Sequence, residues 1–163
     1  MGKLQVVYGA FTTVAGSLAA MPSDSTLVSG YAMAQIDNNS GGALDYLISG
    51  QTTTGSAVDA RQIQVWLYAD TGASAYAGNA TGGAAILAVG TAERTNMRFL
   101  TSIQTDAGAD HVYEWGPYSV SEAFGGFTPG RFGIWQAQNT GDPLNATHAN
   151  SKVVYRTVDV SAA

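Results

Sequence analysis

Residues 61–69 (RQIQVWLYA) set Ile63, Val65 and Leu67 in strict alternation with Gln62, Gln64, Trp66 and Tyr68. A period of two sends successive side chains to opposite faces, so this segment predicts a β-strand with one face in a core. Further short runs read the same way at residues 4–11, 31–36, 44–50, 97–104, 111–120, 131–138 and 152–158. Between them lie clusters of Gly, Asn, Asp, Ser, Thr and Pro, such as DNNSGG at 37–42 and NTGDP at 139–143, which tolerate the backbone of tight turns. About eight short strands with frequent turns predict an all-β fold, an antiparallel β-sandwich of jelly-roll type. A single short helix is expected at 119–124, where Ser119 and Glu122 have capping-box spacing and Gly125-Gly126 end the turn. Ala123 and Phe124 would then plug an open end of the sandwich. The 163 residues suit one domain, with residues 1–28 as a first strand or an N-terminal arm contacting partners.

The surface of such a sandwich must be unusual, because 45% of the residues are hydrophobic and only 12% charged, against about 25% charged in an ordinary soluble domain. Neutral polar residues and glycine fill the difference, and a weakly charged exterior predicts packing against partners. The net charge of −5 and the scattered Lys and Arg residues argue against nucleic acid. Without cysteine, neither a disulfide framework nor a thiolate site is available. No stretch approaches the roughly 20 apolar residues of a membrane-spanning helix. Residues 6–20, with Lys3 in front, have the flavour of a secretory leader, but Gly9, Thr12, Thr13, Gly16 and Ser17 interrupt the run. The segment is expected to belong to the folded chain.

Catalytic patterns are weak. His111 and His148 are the two histidines, and no G-x-S-x-G elbow accompanies them. The carboxylates Asp45, Asp59, Glu93, Asp106, Asp110, Glu114 and Glu122 include no pair that the sequence marks out. Asp106 to Asp110 and Asp37-Asn38-Asn39 carry oxygen ligands suited to calcium, yet neither fits a twelve-residue calcium loop, and turn chemistry is the expectation. Asn38, Asn79 and Asn145 open Asn-x-Ser/Thr triplets, frequent in any chain of this composition. Gly72 to Gly90 lacks the lysine of a phosphate loop and reads as a mobile or partner-ordered loop. The expectation is a protein that is not an enzyme and calls for no cofactor or metal.

The aromatics say more. With Ile63, Val65 and Leu67 inward, Trp66 and Tyr68 point to the other face, and Trp115, Tyr118 and Trp135 could join them. These five form a candidate protein interface, since aromatic rings are enriched at interface centres. Burial of both strand faces beneath long loops explains them equally well. A carbohydrate platform built from the same rings is a third reading.

Several blocks resemble a group of virion proteins of tailed bacteriophages: residues 9–20 followed by a polar turn, DNN at 37–39 leading into LDYL at 44–47, and VWLY at 65–68. Most distinctive is GPYSVSEAFGG at 116–126, continuing through Pro129 and RFGIW at 131–135 to QNTG at 138–141. The likeness spans nearly the whole chain, and its motifs are structural. It implies a jelly-roll capsid cement or decoration protein on the outer capsid surface, commonly a homotrimer, made in the host cytoplasm and bridging copies of the major capsid protein. No catalytic residue carries over. A tail, collar or baseplate component is the alternative, and a carbohydrate-binding adhesion module a second one.

Overall fold

The alternating runs form strands, and the turn clusters reverse the chain between them. The computed structural model describes residues 3–72 and 76–162. In chain order the elements are β1 (Leu4–Tyr8), β2 (Thr12–Thr13), β3 (Ser29–Ala32), β4 (Ile36–Asp37), β5 (Asp45–Thr53), β6 (Ser56–Ala57), β7 (Arg61–Ala69), β8 (Ala85–Ala88), α1 (Thr91–Arg94), β9 (Arg98–Thr105), β10 (Gly108–Ala109), β11 (Val112–Ser119), α2 (Val120–Ala123), β12 (Arg131–Gln138) and β13 (Lys152–Ala162).

The strand pairings are antiparallel. One sheet runs β1-β13-β5-β11, with β2 also on β13, and the other β8-β3-β12-β7-β9, with β4 also on β12. Let β1–β2 and β3–β4 each count as one interrupted strand. The first sheet then orders the principal strands first, last, third, sixth, and the second orders them second, seventh, fourth, fifth. That interleaving is the jelly-roll form of an antiparallel β-sandwich, as the sequence led one to expect. Strand β8 is an addition outside the pattern, and β6 and β10 make a separate two-residue ladder.

Between the sheets, Ile48 of β5 and Val153 of β13 meet Val65 and Leu67 of β7 and Phe132 and Ile134 of β12 in one apolar core. Ile63, Val65 and Leu67 are inward and buried, as their period requires. A polar seam crosses this core: the Gln136 side-chain amide donates to Thr52 Oγ1 at 3.1 Å, and the Trp115 indole N–H donates to the same oxygen at 3.4 Å. Buried polar groups of this kind are tolerated because they satisfy one another. At one end, Ser119 Oγ accepts the Glu122 backbone N–H at 3.0 Å and caps α2, while Phe124 closes on the core. Gly125, at φ +78°, turns the chain out of the helix.

The long connection from β7 to β9 departs from expectation. Residues 73–75 of the expected loop lie outside the described residues, but the remainder contains β8, a 3₁₀ turn at Ala77–Asn79 and α1. Tyr76, Ala77, Ala80, Val89 and Met97 are buried against the outer face of the second sheet and form a second apolar cluster there. This segment is therefore a roof over a sheet face that would otherwise meet water.

Candidate functional site

The roof decides the fate of the aromatic interface read from sequence. Tyr68 and Trp135 are 0% exposed and Trp115 is 6% exposed, so none of the three presents a ring to a partner. Trp66 and Tyr68 do occupy the face opposite Ile63, Val65 and Leu67, but that face carries the second cluster instead of solvent. The Tyr68 hydroxyl donates to the Met33 carbonyl at 2.5 Å, and burial pushes its phenol pKa up. The Trp135 indole donates to the Leu87 carbonyl at 3.3 Å. Trp115 points between the sheets. Only Trp66 and Tyr118 of the five remain half-exposed, and they belong to opposite sheets. Trp66 meets Phe99 edge to face at 4.9 Å, with the Arg94 guanidinium 5.8 Å from its ring, beside a recess of about 400 Å³. Tyr118 stacks on Trp115 at 6.5 Å.

Exposed apolar surface gathers elsewhere, along β1. Leu4 is 78% exposed, Val6 57%, Val7 41%, Tyr8 54%, Phe11 63% and Val160 of β13 45%. The register explains why. Residues 152–158 of β13 pair with β5, whereas residues 158–162 pair with β1, from Val158↔Tyr8 to Ala162↔Leu4. Beyond Val158, β13 has β1 as its one neighbour among the described residues, and the two project as a two-stranded ribbon. Such a ribbon has little intrinsic stability in water, and here one face is apolar, with Leu4, Val6, Tyr8, Val158 and Val160, while Gln5, Val7, Asp159 and Ser161 make up the other.

Arg156 anchors the ribbon's base. Its guanidinium lies 4.5 Å from the Tyr8 ring and 5.1 Å from the Phe11 ring, and its buried Nε has no hydrogen-bond partner. Among the described residues it forms no ion pair; the salt bridges join Arg131 to Asp37 and Asp70. The cation is held by the two ring faces.

The two edges of this sheet differ in their defences. On β11 the ladder breaks in a bulge between Trp115 and Tyr118, Pro117 removes a donor, and Glu114 adds an exposed charge. A cleft of about 390 Å³ opens beside it, lined by Ser49, Gln51, Glu114, Trp115, Lys152 and Val154. These are the means by which sheets discourage a further strand. Strand β1 (LQVVY) has no charge, no proline and no bulge, so its outer row of N–H and C=O groups is open.

The catalytic and metal candidates stay apart. His148 Nδ1 is 2.8 Å from Ser17 Oγ at the surface, and among the described residues no carboxylate bonds to this imidazole. His111 lies against Tyr113. Asn38 Oδ1 accepts from the Ala43 N–H at 2.8 Å and the Tyr46 hydroxyl at 3.0 Å, and Asp110 is bonded to Asn145; both act in turns. No cluster of three His, Asp or Glu side chains placed to hold a metal occurs among the described residues.

The fold and the exposed edge thus define a jelly-roll β-sandwich whose first sheet ends in an unguarded apolar strand, β1. Compared with protein-family models, curated proteins and solved structures, the chain matches none of them.

Proposed function

We propose that this chain is a structural subunit of a bacteriophage virion, a capsid cement or decoration protein that bridges neighbouring major capsid proteins from the outer surface of the shell. The observation that carries the reading is the exposed ribbon of β1 and β13 on a jelly-roll body, with an uncharged edge strand and one apolar face. Surface of that kind marks protein contact, and a sandwich with a buried polar seam is a firm base from which to present it. The role proposed is mechanical: added contact area between coat subunits resists internal pressure, without catalysis, cofactor or nucleic acid. Particles lacking the chain should open at lower temperature than complete ones, and a cryo-EM map should show hundreds of copies on the shell. Equal heat resistance, or a handful of copies at the tail, overturns the placement on the capsid.

A sugar-binding role has one observation in its favour, the recess flanked by Trp66, Thr91, Arg94 and Thr95. Glycan binding that disappears in Trp66→Ala would support it. Trp115, being buried, drops out of that platform.

A further inference from the structure

We infer that β1 pairs with β1 of a second copy of this chain, antiparallel about a two-fold axis at Val6, so that the two first sheets join into one continuous sheet. The inference names a partner for the surface on which the proposed function rests.

In this register Leu4 faces Tyr8 of the other copy, Val6 faces Val6, and Gln5 faces Val7. Aliphatic and aromatic side chains directly across strands are favourable neighbours. The strand contains no charge that its own image could oppose. A symmetric contact must be self-complementary in this way, because each residue meets the image of its own strand.

The flanking charges also match. Lys3, Gln5 and Val7 share a face by the strand period, and the pairing of Val7 with Asp159 places that carboxylate on the same face. Extending the register across the axis puts Lys3 about 12 Å, Cα to Cα, from Asp159 of the other copy, and about 14 Å from its own Asp159. The nearer carboxylate, within the combined reach of the two side chains, is the partner's. The apolar area offered by Leu4, Val6, Val7, Tyr8, Phe11 and Val160 is on the order of 600 Å². Edge pairing covers only the parts of these side chains that flank the seam, so the contact is smaller than the roughly 800 Å² per partner of a standard stable interface, and the edge hydrogen bonds carry the rest of a dimer that dissociates on dilution.

The chain's lack of cysteine gives a clean test. Sedimentation of the purified full-length protein should show a dimer that dissociates on dilution. Val6→Lys places two ammonium groups at the axis and should raise the dimer dissociation constant by roughly tenfold, with an unchanged circular dichroism spectrum because the position is exposed. Val6→Cys should oxidise to a disulfide-linked dimer, since directly paired strand residues stand within disulfide range. A monomer at every concentration, a trimer, or a dimer indifferent to Val6→Lys overturns the pairing. A monomer that still coats particles sinks the pairing and leaves the shell reading standing; a dimer absent from particles does the reverse. A monomer whose Val6→Lys variant loses particle binding shows that the edge takes a coat-protein strand, which also overturns self-pairing.

Discussion

Large rings in this molecule lie directly on backbone, and glycine is what admits them. A Cβ built on Gly50 of β5 would sit 2.1 Å from the Trp115 ring, and one on Gly133 of β12 would sit 2.3 Å from the Tyr68 ring. Real atoms do not approach so closely, so Gly50→Ala or Gly133→Ala must displace a buried aromatic and should each cost about 1–3 kcal/mol in denaturant unfolding. Another residue works through charge. Asp24 accepts the backbone N–H groups of Thr26, Val28 and Ser29 and the Thr26 hydroxyl. The Ser29 bond is the strongest of these influences, and together they lower its carboxyl pKa from 3.8 to about 2. The group stays ionised in the fold at pH values where the unfolded chain already binds a proton, so its contribution is whole above about pH 5 and fades as the pH falls toward 2. Asp24→Asn should lower stability at neutral pH by about 1 kcal/mol, less than the full shift implies because the site is wet. The difference from wild type should shrink through that acid window in urea titrations.

Among the elements, the strands with the plainest alternation were the most legible. Strands β7 and β12 occupy the ranges read from the pattern, 61–69 and 131–138, and the cap at Ser119 holds α2 as its spacing required. What the pattern could not report was the far side of β7. Alternation states that two faces differ, and it is silent on whether the second meets water or a distant stretch of chain. The roof over Trp66, Tyr68 and Trp135 comes from residues 76–97, whose Ala- and Gly-rich sequence lacks the β-branched alternation that would have announced β8. Strand β1 shows a second limit: residues 4–11 read as a strand, within a segment 1–28 expected as a first strand or a partner-contacting arm, and the isolation of β1 follows from a register beyond Val158 that no local pattern encodes. The absence of charge between Lys3 and Asp24 was the available signal. Amide exchange should mirror this. The interior amides of β12 should exchange slowest, while those of β1 should be protected in the wild type and fast in Val6→Lys.

For the whole molecule, the sandwich and its ribbon have separate duties. The body is stabilised from within by two apolar layers, one between the sheets and one beneath the roof, so altering the ribbon's exposed side chains should leave its unfolding nearly unchanged. Val6→Lys is therefore expected to keep the wild-type denaturation midpoint when both proteins are diluted to monomers, and to weaken retention on purified particles. A fall of several degrees in the monomer's midpoint would show that the ribbon serves the body instead. The pairing of Leu4 with Ala162 carries a mechanical corollary. Force applied to these two positions peels the ladder open one rung at a time, the direction in which a β-structure yields most readily. A neighbour's strand clasped along β1 would load many rungs together in shear, and so convert the molecule's weakest seam into a fastening.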